Sequence, residues 1–474
     1  MSKQDKPNKS VHLIGVHGTA MSGLAVILAE LGYKVSGSDS ENAYQTEAND
    51  KQFERLGIVT YKGFNPENIK QTKPDVVVVS AAYGADHPEV KTARRLRRQI
   101  LTQSEMLGKV IADYEVIAVS GVHGKTTTSS LIAYVLKTAG YSPGWAIGAP
   151  DITDLAAKSH IGDGKYFVVE ADEFRKSQDD PQPKFFDLPI RHLVVTSIEL
   201  DHPDLFSTAE DVYDNFYRLS SRLPRNGSLI ACVDWPLVAR LVKRQVDRQA
   251  FSYGFSQEAD FRIVNFRENP NETTFEITVQ DKKLGPFRLN LPGRYGAQNA
   301  AAAVIVALNL GIKEAVIVKS LSQFKGPKRR FELLGRLNGA LFVDDYAHHP
   351  SAISGLIEAA RHRFPGKRLI AVFQPHTYSR TGRFVSEFAA SLAEADQVVL
   401  LNIFASAREK SGYVTIEDLL TRLRNLKDEV EYRASKEEAA TFLANTVGEN
   451  DVVLLIGAGD VFEIYQLIAQ NLSS

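Results

Sequence analysis

The chain of 474 residues has a single cysteine, Cys232. An internal disulfide and a cysteine-rich metal site are therefore excluded. A lone thiol fits a reducing compartment. No run reaches the roughly 20 apolar residues that a membrane-spanning helix needs. The opening "MSKQDKPNKS" is polar and lacks the apolar stretch of a secretory leader. The expected location is the cytoplasm. An excess of one charge is lacking too: 56 Lys+Arg against 57 Asp+Glu leave a net charge of −1. No overall basic field draws nucleic acid, so neither nucleic acid nor a membrane is an expected partner. Short-period repeats, low-complexity tracts and the zincin pattern H-E-x-x-H are absent.

What is present is ordinary in bulk and specific in detail. Hydrophobic content of 44% and charged content of 24% are those of a globular protein. The length predicts two to four domains. Three blocks of alternating strand and helix follow, over 1–113, 114–326 and 327–474. In the first, "VHLIGVHG" leads into the helical "AMSGLAVILAELGY", then the strands "KVSGSD" and "PDVVVVSAA". The second holds the apolar strands "YEVIAVS", "KYFVVEADE" and "IRHLVVTSIELDHPD". Polar–apolar alternation from Gly254 to about Arg288 predicts antiparallel strands appended to it, before the helix in "LPGRYGAQNAAAAVIVALNLG". The third has "ALFVDDYAHHP", "KRLIAVFQPHTYSRT", "DQVVLLNIF" and "DVVLLIGAGD", separated by helical stretches such as "SAISGLIEAARHRF" and "TGRFVSEFAASLAEA". Such alternation predicts parallel sheets with ligands at the C-terminal strand ends.

The chemistry gathers at those ends. "GVHGKTTT" follows a strand and opens a helix. Backbone N–H groups and the dipole at a helix start attract phosphate. Lys125 can reach β/γ oxygens, and the Thr126 hydroxyl can meet Mg²⁺. The usual phosphate loop puts its first glycine at Val119, so the spacing here is shortened. "VEADE" offers Glu170, Asp172 and Glu173, while "ELDHPD" offers Glu199, Asp201, His202 and Asp204. Acids at a single strand end are ordinarily a solvated loop. Two such ends near one phosphate loop suit a hard cation, with Glu173 and His202 joining Thr126. The turn "GVHGTAMSG" carries Gly15, Gly18 and Gly23 but is not G-x-G-x-x-G, since His17 stands at the second glycine. Asp39 ends the next strand, where an acid can meet a ribose hydroxyl. "DDYAHHP" and "QPHTYSR" supply Asp344, Asp345, Tyr346, His348, His349, His376 and Arg380; the guanidinium of Arg380 can fork onto a carboxylate.

In order along the chain, these pieces resemble the Mur ligases. That family writes its phosphate loop G-x-H-G-K-[ST], which "GVHGKT" matches. The glycine turn, "GSD", "EADE", "DHPD", "LPGR…QNA", "RRFE", "DDYAHHP" and "QPHTYSRT" extend the resemblance over nearly the whole chain. No lysine occurs between Lys184 and Lys243, where later-acting members carry a carbamylated one. The resemblance implies an α/β chain of three domains: a Rossmann-like N-terminal domain for a UDP-sugar, a central P-loop ATP-binding domain with a mostly parallel sheet, and a Rossmann-like C-terminal domain for an amino acid. It implies ATP at Gly121, His123, Gly124, Lys125, Thr126, Thr127, Asn299, Arg330 and Asp345. It places the UDP-sugar at Gly18, Ser22, Asp39 and Ser80, and the amino acid at Tyr346, His348, His376 and Arg380. Thr126, Glu173 and His202 would hold Mg²⁺, two ions in all. Lys125, Glu173, His202, His348 and Arg380 would be the catalytic set.

The implied reaction is ATP-dependent amide formation between UDP-N-acetylmuramate and L-alanine in peptidoglycan precursor synthesis. The lactyl carboxylate takes the γ-phosphate, and the amine displaces phosphate from the acyl phosphate. His202, His348 or His376 would take the amine proton. Shielding the acyl phosphate from water predicts closure of the third domain over the second. A ligase adding a recycled tripeptide, a nicotinamide dehydrogenase and a non-catalytic nucleotide-binding relative are the alternatives. Departures from the family pattern are Tyr295 and Gly296 in "GRYG", His17, Thr19 and Ala20 in the first turn, and the longer segment "RKSQDDPQPKFFDLP".

Overall fold

The computed structural model describes residues 9–41, 47–149, 151–155, 157–245, 249–405, 409 and 411–473. The polar start, Met1–Asn8, lies outside them. Contacts divide the chain into two units: Met1–Glu199 with Glu210–Phe261 and Ala302–Ser320, and Leu200–Ala209 with Arg262–Ala301 and Leu321–Ser474.

The first unit holds two sheets. One is five-stranded and parallel, in the order Val59–Lys62, Lys34–Asp39, Ser10–Ile14, Val76–Val79, Gln99–Thr102. The order reverses on either side of Ser10–Ile14, which is a topological switch point. Val76–Val79 is buried along its whole length, as a strand covered on both faces must be. The "PDVVVVSAA" run is thus a strand only at its centre; Ser80 onward turns away.

The other sheet runs Gln249–Gly254, Ser228–Cys232, Ile190–Val195, Glu115–Ser120, Tyr166–Glu170, Gly144–Ala146, Ser159–His160. Its pairs are parallel except the last, which is antiparallel. Glu115–Ser120 is flanked by the two acid-ended strands, because each presents an uninterrupted apolar run to a sheet buried on both faces. Both flanking strands stop earlier than their apolar reading suggests. Tyr166–Glu170 ends three residues before Glu173, and Ile190–Val195 ends before Thr196. Beyond those points the backbone leaves the ladder to build loops around the phosphate turn.

In the second unit, Thr273–Val279 and Lys282–Leu289 pair antiparallel, as their alternation predicts. The helix Gly293–Asn309 begins in this unit and ends in the first. A six-stranded sheet runs Glu332–Leu337, Ala340–Asp345, Asp451–Ile456, Arg368–Phe373, Gln397–Leu400, Val430–Tyr432. It is parallel but for its first pair. Ile353, Ile357, Phe388, Leu392 and Leu419 are fully or almost fully buried in one core cluster of this unit. The stretch "TGRFVSEFAASLAEA" forms two helical pieces, Tyr378–Arg383 and Val385–Leu392. They break at Phe384, whose ring packs edge-on against His349 at 4.9 Å.

Candidate active site

The phosphate turn is shaped by its glycines and clamped from the neighbouring strand. Gly121 has φ +136° and Gly124 has φ +78°, a region that favours glycine. A Cβ on Gly121 would lie 2.2 Å from Thr196 Oγ1 and 2.8 Å from the Ser197 nitrogen. Ser197 Oγ accepts from the His123 N–H at 2.8 Å, and the Ser197 carbonyl accepts from Val122 at 3.3 Å. Thr196 Oγ1 donates to the His123 carbonyl. The imidazole of His123 contacts Glu199 and lies 5.6 Å from the Trp235 ring.

The helix Lys125–Thr138 then starts on Gly124 with no side-chain cap and no acid in its first turn. A helix start without a side-chain cap is an arrangement that receives an anion. Lys125 Nζ donates to both Glu173 oxygens, at 2.8 and 3.0 Å, and to the Gly121 carbonyl at 2.6 Å. Burial opposes the ammonium charge, but Glu173 and then Asp172 outweigh it and raise its pKa. Glu173 is 2% exposed. Thr126 and Thr127 are buried. A hydroxyl and a buried carboxylate that already holds a cation are hard oxygen donors, so this set fits Mg²⁺.

The first glycine turn is built differently. Asp39 Oδ2 accepts the His17 N–H at 2.8 Å, and Oδ1 accepts that of Ser40 at 2.8 Å. The carboxylate thereby fixes the turn that opens the helix Thr19–Glu30. Gly18 is the helix's N-cap, with no side-chain cap. Ser22 is fully buried, and its hydroxyl donates inward, to the Gly18 carbonyl at 3.0 Å. It also accepts from Lys158 Nζ at 2.8 Å. Burial lowers the Lys158 pKa to about 8. Ser80 starts the loop after Val76–Val79, with its N–H on the Ile14 carbonyl at 3.1 Å.

A third cluster lies in the second unit. Arg380 Nε donates to Asp201 Oδ1 at 2.9 Å, and both side chains are almost fully buried. Burial disfavours the Asp201 charge, yet His202 and Arg380 outweigh it and hold the carboxyl well below its ordinary range. The expected Arg380 fork is thus engaged through Nε. Its NH1 lies 3.5 Å from His376 Nδ1. His348 Nδ1 is 2.8 Å from the Tyr346 carbonyl. A carbonyl only accepts, so Nδ1 carries the proton and Nε2 keeps its lone pair. Burial and the Arg380 charge hold the His348 pKa well below its ordinary value, so it is neutral at pH 7. His202, with φ +54°, belongs to this unit. His349 Nε2 donates to the Leu200 carbonyl at 3.1 Å.

Asp345 accepts from the Phe331 and Ala347 N–H groups at 2.7 and 2.8 Å. Burial raises its pKa against the pull of Arg330. Burial likewise pushes Asp344 up to about 7 in spite of Arg329. The Arg330 guanidinium lies 5.0 Å from the centre of the Tyr346 ring. Asn299 sits half-buried on the helix Gly293–Asn309. The departures nearby have a packing reason. A Cβ on Gly355 would meet the Tyr295 ring at 2.2 Å, so that ring lies directly on the helix Pro350–Arg363.

Sequence reasoning missed four residues. Thr196 and Ser197 clamp the phosphate turn; a Thr-Ser pair closing an apolar strand was the available signal. Arg329 ties Asp344, at 3.1 Å, to the carbonyls of Gly457 and Gly459. Its partners are far along the chain and left no local signal, nor did those of Lys158.

Three family models match in succession: "Mur ligase family, catalytic domain" over residues 10–115, "Mur ligase middle domain" over 119–307 and "Mur ligase, glutamate ligase domain" over 329–459. The chain is 35% identical to a UDP-N-acetylmuramate–L-alanine ligase of Desulfitobacterium hafniense, covering 96% of this chain and 98% of that one. It is 37% identical to a protein of the same name from Carboxydothermus hydrogenoformans, covering 97% and 96%. Among solved structures it is similar to a UDP-N-acetylmuramate–alanine ligase from Thermotoga maritima, with TM-score 0.80 and 23% identity over 98% of this chain and 99% of that one. It is also similar to a murein peptide ligase from Psychrobacter arcticus, with TM-score 0.73 and 24% identity over 98% and 99%. The expected three-domain α/β fold with mostly parallel sheets is borne out.

Proposed function

The chain belongs to the Mur ligase family, and from that premise we propose that it joins L-alanine to UDP-N-acetylmuramate at the expense of ATP. The observation that carries the reading is the phosphate turn: an uncapped helix start with Lys125 held on Glu173. Relatives at 35–37% identity over nearly the full length bear the name of that activity. The reaction is carboxylate activation by ATP, followed by attack of the L-alanine amine on the acyl phosphate.

Each group of residues has a task in this chemistry. The helix start at Gly124–Thr127 and the Lys125 ammonium receive the triphosphate, whose negative charge must be neutralised before a carboxylate approaches it. Thr126 and Glu173 would hold Mg²⁺, which when bound screens the phosphate oxygens. Asn299, Arg330 and Asp345 serve the nucleotide. Arg380, already fixed by Asp201, receives the amino-acid carboxylate beside Tyr346 and His376. Of the three candidate histidines, His348 is favoured as the base. It is neutral, and its Nδ1–H is committed to a carbonyl, so Nε2 keeps the lone pair that a base needs to take the amine proton. Gly18, Asp39 and Ser80 border the sugar nucleotide, with Ser22 supporting the turn from inside. The blocks 1–113, 114–326 and 327–474 divide the work as sugar-nucleotide, ATP and amino-acid domains. Both nucleotide substrates suit a cytoplasmic enzyme; among the described residues no helix is long and apolar enough to cross a membrane.

The test is ADP release by the purified protein with UDP-N-acetylmuramate and a panel of L-alanine, glycine, L-serine and the wall tripeptide. L-Alanine is expected to give the highest kcat/KM. A second reading, with the tripeptide as acceptor, is favoured by Thr19 in the first turn. Preference for the tripeptide in the panel would replace the first reading by the second.

A further inference from the structure

The segment "RKSQDDPQPKFFDLP" takes no part in the chemistry above, yet it is firmly built. It folds back on itself. Arg175 bridges Pro183, the Lys176 N–H donates to the Gln182 carbonyl at 2.8 Å, and that of Ser177 donates to the Asp180 carbonyl at 3.2 Å. Ser177 Oγ accepts from the Asp179 and Asp180 N–H groups at 3.2 and 3.0 Å. Its base is locked to the helix Gln103–Val110 of the first block. Lys176 Nζ lies 2.9 Å from Glu105 Oε1 and 2.9 Å from Asp187 Oδ1, with its side chain 14% exposed. Asp187 Oδ2 accepts from Ser104 Oγ at 2.6 Å. A Cβ on Gly108 would lie 2.2 Å from the Asp187 carbonyl oxygen, so helix and segment meet backbone to backbone.

The tip reaches the loop after Val76–Val79. Gln178 Nε2 donates to the Ala82 carbonyl at 2.6 Å. Asp179 Oδ2 accepts the Ala85 N–H at 2.7 Å. Between these two contacts stands Gly84, where a Cβ would come within 3.1 Å of both side chains. The far side of the same loop lies on the first glycine turn. A Cβ on Gly15 would meet Tyr83 Cε2 at 2.9 Å and Ser80 Cβ at 3.0 Å. Contacts therefore run unbroken from Lys176, through Gln178 and Asp179, to the loop of Ser80 and Tyr83, and on to the turn at Gly15.

We propose that Arg175–Asp187 is a strap that holds the Ser80–His87 loop against the first glycine turn, making Gln178 and Asp179 positioning residues for the sugar nucleotide. The proposal rests on the reading that this turn binds UDP-N-acetylmuramate. A held loop binds without first being ordered, so loss of the strap weakens binding rather than chemistry.

Two readouts on the whole protein separate the strap from that reading. The first needs no substrate: amide exchange of the loop, followed by mass spectrometry. Joint Gln178→Ala and Asp179→Ala substitution is expected to speed exchange across Ser80–His87, while Asp179→Asn, which keeps an acceptor for the Ala85 N–H, stays close to the original. Unchanged exchange in the double variant overturns the strap. The second is kinetic. The double variant is expected to raise KM for UDP-N-acetylmuramate about tenfold, with KM for ATP and kcat within about twofold. A parallel rise in KM for ATP, or an unmoved KM for the sugar nucleotide, overturns the positioning role. If the unaltered protein does not bind UDP-N-acetylmuramate, the functional reading fails while the exchange result still judges the strap. Both tip residues are exposed, so neither substitution opens a core.

Discussion

Two glycine turns in the first unit open two helices, and each has a lysine close by. At the phosphate turn, Lys125 meets Glu173 and its pKa is raised. At the first turn, Lys158 is 7% exposed and reaches only the Ser22 hydroxyl among its described partners, and burial lowers its pKa to about 8. The same side chain is a stable cation in one place and a strained one in the other. The difference lies in the companion acid. Glu173 stands free of its strand and faces Lys125, whereas burial alone shifts Lys158, and the acid of the first turn, Asp39, accepts instead from the His17 and Ser40 N–H groups. The phosphate turn has its cation stabilised by an acid, as the proposed triphosphate site requires. The first turn, the proposed sugar-nucleotide site, is held in shape by its acid.

The widest break in this contrast is Lys125→Ala. Turnover is expected to fall by about 10³-fold or more, through loss of charge stabilisation at the transferring phosphate. Binding of UDP-N-acetylmuramate, measured by calorimetry, should persist. Normal turnover would remove the phosphate-turn assignment altogether. Asp39→Ala comes next. It frees two backbone N–H groups, and with about 1–3 kcal/mol at stake KM for the sugar nucleotide should rise by about tenfold or more. KM for ATP should not move. Equal effects on both substrates would mean that the two turns are not independent.

The smallest effect is one of stability. Because the folded Lys158 pKa is depressed, the unfolded chain binds this proton more tightly between about 8 and the ordinary lysine value. Stability from this group is lost as pH falls through that window and is regained above it. Lys158→Met is therefore expected to raise the melting temperature at pH 7. The removed penalty is at most about 3 kcal/mol, and the advantage should shrink as pH approaches 10. A melting difference that ignores pH would show that Lys158 has a cation-stabilising partner after all.

Parts of the site were legible because their chemistry is local. "GVHGKTTT" carries glycines, lysine and threonine within one turn, and the acids of "EADE" and "DHPD" follow recognisable apolar strands. The alternation after Gly254 likewise announced antiparallel strands. Other parts were illegible because their meaning lies in distant partners. Arg329 reads as one of two adjacent arginines, yet it is the one that binds a carbonyl 128 residues away. Lys158 belongs to no motif in the sequence and is buried against the start of a helix. "RKSQDDPQPKFFDLP" reads only as a segment longer than the family pattern, and its contacts at Ala82, Ala85 and Glu105 make it the proposed strap.

The sequence by itself determined the α/β alternation, the phosphate turn and the family, because strand burial and phosphate binding are written in consecutive residues. Only the tertiary structure decided which lysine's charge is stabilised and which is penalised, which nitrogen of His348 carries the proton, and what the polar segment after Glu173 holds. Those outcomes depend on burial and on partners brought from far along the chain. No local pattern of residues encodes either.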